Sequence, residues 1–291
     1  MSVPSTKFYA TPGRHTDVTG FGLRVSSVDD AVRVVQGLLV YDLAARDLYG
    51  VELTAAQAGT VHERDAAALL ELARLVDPRP LDQPRDPGER IGGRCNTFTL
   101  LTVALLRAAG IPARSRCGFG AYFVPGYYED HWVVEYWDPD DRCWMMVDAQ
   151  LDETWQRLIG MNTSIPVRVG PEQFLTAGHA WQAWRAGQLD ADRCGLTSID
   201  EHGAFWIAGN LRLDLAALNK VEMLPWDVWG LGWEPNEEPT SEMLATLDAI
   251  AAMTVDPDRG LDDLLDRYAT DPSFRMDGTV FSVALGQHQR L

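Results

Sequence analysis

The stretch running from residue 77 to residue 112 constrains the fold more than any other part of this sequence. Pro78, Pro80, Pro84 and Pro87 stand among charged residues, and the run closes on Gly92 and Gly93. Proline removes backbone donors and fixes φ, so residues 77–93 cannot continue a helix or a central strand and must cross the surface as a loop. From Cys95 the pattern turns helical. Phe98, Leu101, Leu105 and Ala108 recur at alternating spacings of three and four until Gly110 and Pro112 stop them. A helix that opens on a cysteine, directly after two glycines, is the fixed point around which the remaining segments arrange themselves.

Three short segments rich in β-branched and aromatic residues follow, at 114–123, 131–137 and 142–148, the last two separated by Asp138-Pro139-Asp140-Asp141. They read as antiparallel strands. Upstream, Ser26 and Ser27 with Asp29 and Asp30 supply cap chemistry for a helix through Val32, Val35, Leu38 and Leu39. Thr60-Val61-His62-Glu63 has capping-box spacing, which predicts a second helix through Leu69, Leu72 and Val76. Beyond residue 150, helix signals return at 171–186, 203–220, 241–253 and 260–268. The expected class is α+β. The expected domains are an arm with helices over 1–90, a core over 91–152 and a mainly helical region over 153–291.

Charge narrows the partners. Lys and Arg number 25 against 42 Asp and Glu, a net charge of −17, which repels phosphate backbones and anionic headgroups alike. Nucleic acid and membranes are therefore not expected partners. At 291 residues and 46% hydrophobic composition the chain can bury a large core. Residues 1–20 hold no apolar run of signal-peptide length, so a cytoplasmic location is expected, with Cys95, Cys117, Cys143 and Cys194 as free thiols. The oligomeric state is not legible.

Cysteine reacts as the thiolate, a form favoured by the positive end of a helix dipole and by a nearby imidazolium. Cys95 has the first setting, and Gly92 and Gly93 allow a substrate carbonyl to approach it. Neither Cys117 nor Cys143 has this setting. The candidate partners come from the hairpin: a four-residue loop at 138–141 sets Trp137 opposite Arg142 and, in the same register, His131 opposite Asp148. The types then suit a nucleophile, a base and an acid that orients the base.

Other residues are weighed against plainer roles. Glu135 shares the His131 face and reads as a structural carboxylate, hydrogen-bonded or paired with Arg142, more readily than as a second acid. Trp181, Trp184, Trp206, Trp226, Trp229 and Trp233 read first as core and second as cleft walls. Asn210, Asp214, Asn219, Glu222 and Asp227 fit either recognition or capping and solvated faces. His179 and His202 lack zinc spacing, and Asp256-Pro257-Asp258-Arg259-Gly260 lacks the spaced ligands of a calcium loop, so it reads as a turn. No metal and no cofactor is expected.

Taken together, Gly93-Arg94-Cys95, the run Leu105-Leu106-Arg107-Ala108-Ala109-Gly110-Ile111-Pro112-Ala113-Arg114, His131-Trp132-Val133-Val134-Glu135 and Trp144-Met145-Met146-Val147-Asp148 resemble the transglutaminase-like superfamily in order and spacing. The resemblance covers roughly 91–152. It implies a papain-like core, a cysteine-bearing helix packed on an antiparallel sheet, with N- and C-terminal helical elaborations. It also implies Cys95 as nucleophile, His131 as base and Asp148 as orienting acid. This sequence departs from the animal transglutaminases in having Asn96 after the cysteine and no Trp before Trp132. That makes calcium-dependent crosslinking a poorer expectation and leaves the second oxyanion donor open, the Cys95 N–H being the first and Gln57 or Gln83 candidates for the other. The expected activity is cleavage of a carboxamide or peptide, or transfer of its acyl group, through an acyl-enzyme. Alternatives are an amide-forming acyltransferase using a carrier-bound thioester and an amine, and a non-catalytic peptide-binding module.

Overall fold

The computed structural model describes residues 4–161, 166–233 and 237–291. The chain divides into two compact units: Met1–Ser115 with Trp132–Gly170, and Arg116–His131 with Pro171–Leu291. As expected, the class is α+β, mixing helices with antiparallel sheet.

The elements of the first unit begin with α1 (Pro4–Tyr9), α2 (Val28–Leu38), β1 (Leu39–Tyr41), α3 (Ala45–Tyr49), α4 (Ala55–Gly59) and α5 (Ala66–Val76). Next come β2 (Ile91–Gly93), α6 (Cys95–Ala108), β3 (Ala113–Gly120), β4 (Tyr128–Asp138), β5 (Cys143–Asp148), α7 (Glu153–Leu158) and β6 (Val167–Val169). The unit boundary falls inside both β3 and β4. Ser27 caps α2 as expected, its side chain accepting the Asp30 N–H. The capping box lies elsewhere than expected. Thr54 and Gln57 form it at the start of α4, whereas Thr60–His62 is a single 3-10 turn and Asp65 caps α5. The 77–93 loop also ends differently: Ile91–Gly93 pairs in parallel with Leu39–Tyr41.

Helix α6 is buried on nearly every side, from Asn96 through Arg107. Its Phe98, Leu101 and Leu105 share one core with Val32, Val35 and Leu38 of α2, Leu69 and Leu70 of α5, and Val134, Tyr136 and Val147 of the sheet. The cysteine-bearing helix is thus packed on antiparallel strands, with β5 between β4 and β6. Its far end is tied by buried Arg107, whose Nε donates to Ala113 O at 2.9 Å.

In the second unit, β3 continues and pairs with β7 (Phe174–Thr176), and the start of β4 pairs with β8 (Cys194–Leu196). Helix α8 (Ala177–Arg185) precedes β8, and β9 (Glu201–His202) and α9 (Ala204–Leu218) follow it. Then come β10 (Asp227–Val228), α10 (Ser241–Val255), α11 (Leu261–Thr270), β11 (Thr279–Ser282) and β12 (Gln287–Arg290). The helices between 177 and 270 answer to the expected segments, while the small β10-β11-β12 sheet was not foreseen. Gly178 lets α8 approach α10 closely, since a Cβ there would lie 2.5 Å from Thr254 Oγ1.

Of the polar residues singled out in this unit, Asn210, Asp214, Glu222 and Asp227 are buried, which corrects the solvated-face alternative for them, while Asn219 is half-buried. Asp214 is fully buried and takes Arg116 Nε and Nη2 at 3.0 and 2.9 Å. Its Oδ1 also accepts the Cys117 N–H at 2.9 Å. Asp227 accepts the Leu224 N–H, and Asn219 donates to Leu215 O. Trp181 and Trp229 are core, bonded through their indole N–H groups to Asp248 and to Phe274 O, while Trp184, Trp206, Trp226 and Trp233 are half-buried.

Candidate active site

Cys95 is the first residue of α6, a free thiol of intermediate exposure. Its backbone is set by what comes just before it. Gly92 passes so near α4 that a Cβ would sit 2.7 Å from Gln57 O, and Gly93 lies against Leu39 and Thr97. Arg94, extended at φ −120 and ψ 175, turns the chain into the helix. Its N–H donates to Thr97 Oγ1 at 3.2 Å, and its guanidinium holds Asp42 through Nε and Nη2 at 3.0 and 3.2 Å. The first helical bonds run from the Thr97 and Phe98 N–H groups to Arg94 O. The Cys95 and Asn96 N–H groups therefore precede that ladder, the position from which helix termini bind anions.

Gln57 does not suit the oxyanion role considered for it. Its Nε2 donates to both Gly88 O and Arg90 O, at 2.9 and 2.7 Å, so both amide protons are committed to the backbone, while Oε1 accepts from Thr54. Gln83 is an exposed turn residue whose N–H donates to Pro80 O.

Asp148 ends β5, fully buried, and its Oδ1 accepts the Gln150 N–H at 2.9 Å. The next carbonyl, of Ala149, accepts Gln36 Nε2 from α2 at 3.0 Å, which pins the chain after the strand. The hairpin register differs from expectation by two residues. Trp137 faces Trp144, not Arg142, and Glu135 faces Met146. Continued by one pair beyond Val134 and Val147, that register faces Asp148 with Val133 instead of His131. Side chains alternate with a period of two, so an even shift leaves every residue of the hairpin on its expected face. The physical cause is the turn: Asp138 stays in the strand, accepts the Asp140 and Asp141 N–H groups, and the chain reverses through Arg142 at φ 55. Glu135 is structural as expected, but its partner is Arg114 at 2.5 Å, not Arg142; that guanidinium also lies 4.0 Å from the Trp144 ring centre.

Cys95 and Asp148 belong to the first unit and His131 to the second, β4 passing from one to the other just after it. His131 is 2% exposed and ringed by aromatics, with Phe123, Tyr122 and Phe174 centroids at 4.8, 6.0 and 6.5 Å. The two carboxyls that precede it in sequence interact with it electrostatically and take their hydrogen bonds from other residues. Burial pushes Asp130 up to about 6, against the hydrogen bond from Asn210 Nδ2 at 2.9 Å. Burial likewise raises Glu129, which accepts the Thr197 N–H and hydroxyl. Sequence reasoning missed the role of Tyr122, Phe123 and the Asp130–Asn210 pair; it put both rings at the end of a strand over 114–123, whereas β3 ends at Gly120 and the rings lie in the loop beyond Ala121.

Residues 78–149 match the transglutaminase-like superfamily. The transglutaminase-like stretch is about a quarter of the chain and contains Cys95, His131 and Asp148. No curated protein and no solved structure matches. Superfamily members are generally enzymes, and the match points to cysteine-based acyl chemistry. Among the described residues no group of three or more His, Cys, Asp or Glu is placed to hold a metal ion, and no helix is long and apolar enough to cross a membrane.

Proposed function

We propose that this chain cleaves carboxamides or peptides through an acyl-enzyme, with Cys95 as nucleophile, His131 as general base and acid, and Asp148 as the group that orients the imidazole. The observation that carries the reading is Cys95 itself: a half-exposed free thiol at the first position of a buried helix, inside the transglutaminase-like stretch. A helix N-terminus favours the thiolate and offers N–H groups to a developing oxyanion.

In this mechanism the thiolate adds to the carbonyl carbon, and the oxyanion is met by the Cys95 N–H. The C–N bond breaks as the imidazolium gives its proton to the departing amine. Water then attacks the thioester while the imidazole takes its proton, and the carboxylic acid leaves as the thiolate is restored. Asp148 keeps the imidazole in one tautomer throughout. The peptide or small amide is the substrate, and the acceptor in the second step is water. Transfer to an amine, with a carrier-bound thioester as donor, uses the same acyl-enzyme and differs in the leaving group, a thiol in place of an amine, and in that acceptor.

The test is to incubate the protein with a panel of amides and thioesters and to read products and intact protein mass. Products formed by the wild type and by no Cys95→Ala sample, with an acyl adduct mapped to Cys95, are expected. Equal turnover by Cys95→Ala ends the mechanism.

A further inference from the structure

We propose that the loop between β3 and β4 is an apolar recognition wall, selecting substrates with an aromatic or bulky apolar group on the leaving side of the scissile carbonyl. The proposal rests on the role given above to His131 and adds to it a substrate class. Tyr122 and Phe123 meet the imidazole edge-on, at interplanar angles of 88° and 68°, and their own centroids are 4.6 Å apart. Phe174 of β7, 1% exposed, backs the imidazole. Tyr122 and Phe123 are half-buried, and the next residue, Val124, is 36% exposed. The loop therefore presents hydrocarbon outward beside the imidazole.

The loop is also built to hold its rings in place. At Gly120 a Cβ would fall 2.9 Å from Phe123 Cε2 and 3.1 Å from Tyr122 Cζ, so the glycine gives the rings room to fold back on their own strand. The Ala121 N–H donates to Gln173 O at 2.8 Å, the Tyr127 N–H to Val124 O at 3.1 Å, and Arg193 Nε to the carbonyl of Gly126. Tied at both ends, the wall is formed before substrate arrives, and little ordering entropy opposes its use.

Chemistry assigns the wall to one side of the substrate. The imidazolium must reach the leaving atom as its bond to the acyl carbon breaks, so the substituent on that atom passes the neighbours of His131. Ring edges and faces favour an aromatic or aliphatic substituent there. Asp130 and Glu129, which precede His131, accept from Asn210 and Thr197, and it is the rings of Tyr122 and Phe123 that make the contact surface for that substituent apolar.

The experiment uses two thioesters of one acyl group, releasing benzyl mercaptan or methanethiol, each rate divided by that of uncatalysed hydrolysis. Wild-type kcat/KM is expected to favour the benzyl compound about tenfold, the discrimination a modest apolar contact supplies. Phe123→Ala is expected to cut the preference to about twofold, and Phe123→Leu, which keeps the loop filled, to an intermediate value. Cys95-dependent turnover without preference, or a preference that survives Phe123→Ala and Tyr122→Ala, overturns the wall and leaves the proposed mechanism standing. Absence of Cys95-dependent turnover of either thioester overturns the mechanism and the wall with it.

Discussion

Gly92 and Gln57 pass each other with no room for a methyl group: a Cβ on Gly92 would lie 2.7 Å from the Gln57 carbonyl oxygen. Both are backbone positions, so neither can rotate away. Gly92→Ala is expected to destabilise the protein by about 2 kcal/mol, the usual cost of overpacking, and to shift the chain leading into Cys95. Thermal unfolding together with the rate of Cys95 alkylation at pH 7 checks this. A variant with wild-type melting and wild-type alkylation would show that the contact is not binding on the site.

Gln57 holds two carbonyls at once, and its removal separates stability from catalysis. Gln57→Ala leaves Gly88 O and Arg90 O without their donor. A cost of about 1–2 kcal/mol is expected from two lost part-buried hydrogen bonds, since water can reach the Gly88 carbonyl. Activity per folded molecule should fall less than tenfold, whereas loss of an oxyanion donor costs roughly a hundredfold or more. Denaturant titration alongside kcat, corrected for folded fraction, distinguishes the two.

The buried Arg116–Asp214 pair gives a different expectation. Asp214→Ala strands the guanidinium and the Cys117 N–H together, at a cost of roughly 3–5 kcal/mol. Replacing both partners, as Arg116→Met with Asp214→Leu, should cost less than Asp214→Ala alone, since no charge is left unpaired. A double-mutant cycle in urea reads the difference.

Asp130 predicts a pH dependence with a definite sign. Its carboxyl is raised from 3.8 to about 6 in the folded protein, chiefly by burial. Between those values the folded state holds a proton that the unfolded state has released, so this group makes stability fall as pH rises from about 4 to 6 and adds no further slope above. At about 1.4 kcal/mol per pKa unit, the effect is on the order of 2–3 kcal/mol. Asp130→Asn keeps the acceptor for Asn210 and should flatten that limb. Unfolding free energies at pH 4.5 and 7 for both proteins decide it, and parallel curves would exclude the assignment.

The setting of Cys95 in the fold was legible because its signals are local. The spacing of Phe98, Leu101 and Leu105 and the Gly92-Gly93 stop place the start of α6 within the chain itself, and Ser27 caps α2 as its type demands. What was misread depends on tertiary choices. Asp138 looked like the first loop residue but closes the turn from the end of the strand, through an Asx bond that its side chain also announces. Arg142 adopts a left-handed conformation usually marked by Gly or Asn, so nothing in its type signalled where the chain reverses. Thr54 and Gln57 carry the same capping spacing as Thr60 and Glu63, and only packing selects between them. The two-residue β10 and the polar β12, Gln287–Arg290, have too little pattern to read as strands at all.

The parallel contact of Leu39–Tyr41 with Ile91–Gly93 joins segments about fifty residues apart, a pairing that forms only after a long loop has closed. Since that pairing sets the backbone two residues ahead of Cys95, the start of the cysteine-bearing helix is positioned only once these distant segments have met. Under the proposed mechanism, activity is thereby a late product of folding, dependent on assembly and not on synthesis alone.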